Sequence, residues 1–122
     1  MNTRDLLTSY WNKKPDEVRN FFTTDSVTYL HDSNEVMTTD DWVNHYKEPI
    51  GEWHTTVDRI ESLGADKWMT ITFHRSPSWN GFVTSIFTID NGLIKELHEY
   101  YSPCDDNIVP QWRDDLKDEE RI

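Results

Sequence analysis

Asn91-Gly92 stands between two apolar stretches, Phe87-Thr88-Ile89-Asp90 and the run that begins at Leu93-Ile94. Both residues tolerate positive φ, so the pair closes a two-residue antiparallel hairpin. It joins strands expected at 82–90 and 93–102, and the chain upstream extends the pattern. A strand over 53–63 turns at Gly64-Ala65-Asp66-Lys67. In the next strand Met69, Ile71 and Phe73 alternate with Trp68, Thr70, Thr72 and His74, and the loop Ser76-Pro77-Ser78-Trp79-Asn80-Gly81 follows. Four successive strands with short connections read as an antiparallel meander. In the last of them Leu93, Leu97 and Tyr101 share a face with Lys95 and Glu99. Glu99 therefore sits among large apolar side chains on a face expected inside. A carboxylate there is either a paired structural charge or part of a site.

The N-terminal third has helical spacing instead. Leu6, Leu7, Tyr10 and Trp11 give a helix over 3–13 with one apolar stripe. Pro15 opens a second helix, with Asp16 and Glu17 at its positive end and Val18, Phe21 and Phe22 on its buried face. A short strand alternates Val27, Tyr29 and His31 with Ser26, Thr28 and Leu30. Thr38-Thr39-Asp40-Asp41 caps a third helix, which carries Trp42, Val43 and Tyr46 and stops at Pro49-Ile50-Gly51. Helices first and a meander afterwards define an α+β class. Three apolar stripes over one face of a strongly curved sheet make a cone, and its open end is a natural pocket. The chain divides into a domain over 1–103 and an acidic tail over 104–122, with seven charges between 114 and 121. The tail reads as a short helix docked by Trp112 and Leu116, or as a solvated end.

Composition removes several classes of function. At 122 residues the chain has room for one core. A net charge of −11 repels nucleic acid and anionic membranes. Cys104 is the one cysteine, so no internal disulfide forms. No apolar run is long enough to span a membrane, and Met1-Asn2-Thr3-Arg4-Asp5 does not open a signal peptide. A cytoplasmic protein is expected. None of His31, His45, His54, His74 and His98 forms a metal-spaced pair, and no phosphate loop or dinucleotide fingerprint is present, so no metal and no cofactor is implied.

In order of elements and in particular residues the chain resembles the nuclear transport factor 2-like superfamily, in its SnoaL-like branch of polyketide cyclases, ketosteroid isomerases and epoxide hydrolases. The residues are Tyr10-Trp11-Asn12, Phe21-Phe22-Thr23-Thr24-Asp25-Ser26-Val27, and Asp90-Asn91-Gly92-Leu93-Ile94-Lys95-Glu96 with His98-Glu99-Tyr100-Tyr101. The resemblance covers residues 3–103 and implies the cone fold, while the superfamily's functions are diverse. It also implies what is missing. Ketosteroid isomerase-like sites use a carboxylate base on the first strand, a tyrosine from the first helix and a protonated aspartate on the penultimate strand. Tyr29 or Leu30, Leu6 or Leu7, and Ser85 stand there, so steroid-type isomerisation is not expected. Epoxide hydrolase-like sites use an Arg-x-Asp pair and an acid on the last strand. Arg75 and Glu99 match two of these groups, and Pro77 replaces the third.

Each candidate has two readings. Arg75 continues the parity of Met69, Ile71 and Phe73, which puts it beside Glu99 on the concave face. The pair is an acid–base carboxylate oriented by a guanidinium, which would lower the carboxylate's pKa, or a structural ion pair at the rim. Tyr29 and His31 point into the same cavity as auxiliary acid–base groups, or are a core tyrosine and an edge histidine. Trp42 and Tyr46 form the pocket wall or plain core. Trp79 covers the pocket mouth or packs on a partner chain. Phe73, Ser85, Phe87, Leu97 and Tyr101 complete the expected lining. Trp68, Thr70, Thr72, His74, Ile86, His98 and Tyr100 are left on the convex face, whose mixed character suits a homodimer interface. Two functions follow. One is a small-molecule pocket protein, binding a largely apolar compound and doing cofactor-free cyclase, dehydratase or hydrolase chemistry. The other is a non-catalytic binding or dimerisation module whose cone is filled by Phe22, Trp42, Tyr46, Phe73, Phe87 and Tyr101.

Overall fold

The computed structural model describes residues 2–47, 53–104 and 112–113. The first helix, α1, spans Thr3–Trp11. Asn2 caps it, its side-chain oxygen accepting from the backbone N–H of Asp5 at 2.9 Å, and Leu6, Leu7, Tyr10 and Trp11 are its buried stripe. Pro15 sits at the start of the second helix as expected, but the element is a 3-10 helix, Pro15–Phe21, with Val18 buried. Phe22 already belongs to strand β1, Phe22–Leu30, which is longer than the alternation suggested. A short strand not foreseen in the sequence, β2, Glu35–Thr38, runs back along it. Thr38 and Asp41 then form a reciprocal cap, each backbone N–H donating to the other's side chain at 3.1 Å, and α2 spans Thr39–Lys47. The expected helix stop at Pro49-Ile50-Gly51 lies outside the described residues.

Four strands complete the sheet: β3, His54–Gly64; β4, Lys67–Arg75; β5, Asn80–Asp90; and β6, Leu93–Pro103. Both hairpin turns are as the sequence predicts. Asn91 and Gly92 have φ of 51° and 78°, and Ala65 and Asp66 have φ of 50° and 62°. This is the mirror-image turn geometry that suits strand twist. The sheet order is β2-β1-β6-β5-β4-β3. All pairs are antiparallel except β1 with β6, which is parallel and brings the last strand into the middle of the sheet. The α+β expectation holds: helices lie on one face of a mostly antiparallel sheet and bury a core that includes Leu7, Tyr10, Val18, Trp42, Phe87, Ile94 and Leu97. Of the tail, Trp112 is 77% exposed; Leu116 and the charged run lie outside the described residues.

Register corrects the expected faces. On β4 the buried residues are Thr70 and Thr72, and His74 follows them inward. Met69, Ile71, Phe73 and Arg75 therefore face outward. Helix α1 makes this possible, because the Trp11 indole N–H donates to Thr70 Oγ1 at 3.0 Å. That bond satisfies a hydroxyl that would otherwise be costly to bury. On β1 the buried residues are Ser26, Thr28 and Leu30, so Tyr29 and His31 also face outward. Their partner is fixed by the parallel register, which sets Tyr29 beside His98 and Leu30 beside Glu99. In β6 an irregularity opposite Thr88/Ile89 breaks the alternation. Ile94 is buried while Lys95 points to solvent, so Lys95 does not share the face of Glu99, Leu97 and Tyr101.

Candidate functional site

The helices do not fill the cone. A cavity of about 1050 Å³ opens between α1, α2 and the concave sheet, which overturns the filled-cone expectation. Its walls come from every layer: Trp11 at the end of α1 and Lys13 just beyond it, Trp42 and Tyr46 on α2, Trp53 ahead of β3, His74 on β4, and Glu99 and Tyr101 on β6. Strand β5 supplies Val83 and, behind the lining, Ser85.

Glu99 is the buried carboxylate of this space, 3% exposed. Ser85 Oγ donates to its Oε2 at 2.7 Å, and the Tyr101 hydroxyl donates to its Oε1 at 3.0 Å. Ser85 faces Glu99 because β5 and β6 pair them directly, and Tyr101 is two residues along the same strand. Burial pushes the Glu99 carboxyl above its ordinary pKa, and the hydroxyls of Ser85 and Tyr101 and the charge of Lys13 oppose that only partly. The expected guanidinium partner is absent: Arg75 is exposed on the outer face. The expected lowering of the Glu99 pKa is thereby reversed in sign. A carboxyl raised by burial is suited to give a proton as well as to take one.

The cation acting on Glu99 is Lys13, which the sequence reading did not single out. Its Nζ lies 3.6 Å from the centroid of the Tyr10 ring, 4.5 Å from Tyr46 and 5.3 Å from Trp11. Burial brings its pKa down from 10.5 to about 7, the pull of Glu99 acting the other way. One signal was available, since Lys13 is three residues beyond Tyr10 and two beyond Trp11, where the apolar stripe ends. Tyr10 is fixed in turn by the Trp42 indole N–H, which donates to its hydroxyl at 3.3 Å. Burial raises the pKa of Tyr10, Tyr46 and Tyr101 as well, so all three phenols are neutral near pH 7.

His74 is the second residue missed, since its parity placed it outside. It hydrogen-bonds Thr55 Oγ1 at 3.1 Å and Thr72 Oγ1 at 2.8 Å. Burial, then the charge of Lys13, lowers its pKa to about 4, which keeps the imidazole neutral. The tryptophans form the mouth. Ser76 Oγ accepts from the backbone N–H of Ser78 and Trp79, closing the tight turn that presents Trp79. The Trp79 ring then lies over Gly81, where a Cβ would come within 2.6 Å of it. It packs 6.1 Å from Trp53 and 6.2 Å from Tyr101 between ring centroids. The Trp53 indole N–H is buried and has no hydrogen-bond partner among the described residues.

Of the residues expected to act or bind, Glu99, Trp42, Tyr46, Trp79 and Tyr101 line the cavity, and Ser85 holds Glu99. Phe87 and Leu97 lie beneath it in the core, fully buried. Phe73 is on the outer face, against Phe82 at 5.0 Å. Tyr29 and His31 are also outside, where they join His98 and Tyr100. Tyr29 stacks on His98 at 4.4 Å and His31 on Tyr100 at 4.6 Å, while His31 Nε2 meets His98 Nδ1 at 2.7 Å. His98 Nε2 is bonded in turn to Glu96. Among the described residues no three His, Cys, Asp or Glu side chains are placed to share a metal ion. No helix of the described residues is long and apolar enough to cross a membrane.

Comparison with known proteins finds no matching family model and no matching curated protein. Solved structures do match. A putative ketosteroid isomerase from Kribbella flavida DSM 17836 superposes with a TM-score of 0.77 at 18% identity, covering 96% of this chain and 88% of that one. An NTF-2-like protein of unknown function from Burkholderia xenovorans LB400 gives 0.77 at 19% identity, over 96% and 94%. A putative SnoaL-like polyketide cyclase from Jannaschia sp. CCS1 gives 0.68 at 10% identity, over 82% and 85%. At these identities the likeness establishes a common fold.

Proposed function

We propose that this chain, which has the nuclear transport factor 2-like fold, binds a small, largely apolar molecule in its cone and moves protons on it without a cofactor. The observation that carries the reading is Glu99: a carboxyl held by Ser85 and Tyr101 at the wall of a cavity of about 1050 Å³, with burial raising its pKa. A carboxyl kept there only as a structural charge would be expected to have a close cationic partner; Arg75 is on the other face, and among the described residues no ion pair joins Glu99 to Lys13. In this reading the Glu99 carboxyl gives its proton to an oxygen of the bound molecule, and the carboxylate takes one back. The Tyr101 and Ser85 hydroxyls stabilise the ionised stage by donating to it. Trp42, Tyr46, Trp53 and Trp79 supply flat apolar walls, and the unpartnered Trp53 N–H offers one donor for orientation. Cyclisation, dehydration and hydrolysis all use such a proton relay. The test is Glu99→Gln, which keeps the shape and removes the titrating proton. A substrate found by screening must bind to the variant but lose turnover, and unimpaired turnover sinks the reading.

For assembly, we propose a homodimer through the outer sheet face. Met69, Ile71, Phe73, Phe82 and Ile86 are only partly covered there, and Tyr100 is 45% exposed beside the His31–His98 pair. A wide, partly aromatic face of this kind suits a second copy of the chain. Sedimentation equilibrium at micromolar concentration should give twice the chain mass, and Phe73→Asp should halve it. A wild-type monomer refutes the proposal.

A further inference from the structure

Lys13 is an amine in an unusual place. Its Nζ is walled by three aromatic rings, Tyr10, Tyr46 and Trp11, and it faces the cavity that Glu99 also lines. Among the described residues, no carboxylate forms an ion pair with it and no hydrogen bond engages Nζ. The rings hold Nζ in position and favour its ammonium form only in part, so that burial still frees the lone pair. An ordinary surface lysine is protonated at neutral pH and so does not act as a nucleophile, whereas an amine in desolvated, ring-lined surroundings carries a free lone pair for a large part of the time.

We propose that Lys13 condenses with an aldehyde or ketone bound in the cavity to form an imine, so that carbonyl compounds are the substrate class of this site. The proposal rests on the reading that the cavity is a reaction site built around Glu99. The Nζ lone pair adds to the carbonyl carbon as the Glu99 carboxyl gives its proton to the carbonyl oxygen, and a carbinolamine results. The nitrogen then loses a proton to the Glu99 carboxylate, the carbinolamine hydroxyl, protonated by the same carboxyl, leaves as water, and the iminium so formed gives its N–H proton back to the Glu99 carboxylate. One carbonyl and one amine give one imine and one water, with Glu99 returned to its starting state. No oxidant, reductant or metal enters. The burial of Glu99 serves the first step by shifting the carboxyl toward its protonated form, and the aromatic walls suit a flat, conjugated carbonyl compound.

The experiment uses the full chain with naphthaldehyde and sodium cyanoborohydride at neutral pH, the hydride reducing any imine to a stable secondary amine. Peptide mapping by mass spectrometry then compares Lys13 with its exposed neighbour Lys14 and with the exposed Lys67 and Lys95. A free-amine fraction of at least a few per cent, against about one in two thousand for an ordinary lysine, offset by lower intrinsic nucleophilicity, predicts labelling of Lys13 at least about 10-fold faster. Lys13→Arg must abolish this label, and Glu99→Gln must slow it while leaving Lys14 unchanged. Equal rates at Lys13 and Lys14, or labelling confined to exposed lysines, overturns the proposal. Naphthalenemethanol, which has no carbonyl, separates the two readings through quenching of tryptophan emission. Saturable binding of the alcohol without labelling of Lys13 removes the imine and leaves the pocket. Failure of both alcohol and aldehyde to bind removes both.

Discussion

Replacing Lys13 by Met should stabilise the protein, although it deletes a group in contact with three aromatic rings. Lowering the amine's pKa from 10.5 to about 7 corresponds to roughly 5 kcal/mol at 1.36 kcal/mol per unit. That figure is a ceiling, because Lys13 keeps some contact with solvent and is screened accordingly. The ring faces return about 1–2 kcal/mol to the ammonium. The net gain expected for Lys13→Met at about pH 6 is therefore ~2 kcal/mol, with Met matching the length and apolar character of the lysine stem. The sign of its pH dependence follows from linkage. Between pH 10.5 and about 7 the unfolded chain holds a proton that the folded chain lacks, so wild-type stability falls as pH falls, and the penalty is complete below about 7. The advantage of Met should thus shrink to about half near pH 9 and vanish above 10.5. Removing the cation also raises the Glu99 pKa, so the comparison is cleanest in a Glu99→Gln background. Urea unfolding at several pH values reads the effect, with ~2 kcal/mol moving the midpoint by about 1 M. A Met variant less stable than wild type at pH 6, or a difference that does not change with pH, would refute the burial of a titrating amine.

Glu99→Gln should leave stability unchanged or raise it at neutral pH. A raised carboxyl contributes fully below its ordinary 4.5 and loses that contribution as pH rises through its folded value, so the advantage of Gln should be larger at pH 8 than at pH 4 in urea titrations. Arg75 is exposed on the outer face. Arg75→Ala should therefore change stability by roughly 0.5 kcal/mol or less. It should also leave naphthalenemethanol binding intact, and a loss of binding would return Arg75 to the site. A Cβ at Gly81 would overlap the Trp79 ring and the Ser102 carbonyl oxygen. Gly81→Ala should accordingly cost about 1–3 kcal/mol. Displacement of Trp79 should be visible as altered tryptophan emission and weaker ligand binding, and unchanged values of both would show that Trp79 does not depend on Gly81.

Local signals made the fold legible. Asn91-Gly92, Gly64-Ala65-Asp66-Lys67 and the reciprocal cap at Thr38 and Asp41 are each dictated by a few adjacent residues, and each is where the sequence places it. Glu99 was legible too, because its neighbours Leu97 and Tyr101 fix its face. The faces of β1 and β4 were not. In β4 both faces carry large side chains, and the face with Met69, Ile71 and Phe73 is the more apolar. The threonines go inside because the Trp11 N–H, the Val83 carbonyl and the His74 ring satisfy their hydroxyls. Alternation cannot reveal a partner that is 59 residues away in sequence. The same inversion carried Arg75 and Phe73 outward and His74 inward. Tyr29 and His31 were misplaced because the parallel pairing of β1 with β6 is a long-range choice. Lys13 was missed because its aromatic enclosure combines α1 with Tyr46 of α2, which only tertiary packing brings together.

The parallel seat of β6 between β1 and β5 bears on how the site comes into being. A chain made from its N-terminus produces Lys13, Tyr10 and Trp42 early, but the strand that carries Glu99 is the last of the sheet. Until it threads between β1 and β5, the β2–β1 ribbon is not joined to the meander within the sheet, and the apolar stripe of α1 has no complete face to cover. Bringing Lys13 to Glu99 closes a loop of about 86 residues, the span from 13 to 99, whose entropic cost must be met before any native contact across it is gained. Folding should accordingly be slow for a chain of this size, and late in its completion. No partly made chain can carry half of this cavity: the amine and the carboxyl come to share it when the whole sheet closes, so the site and the fold are acquired in the same event.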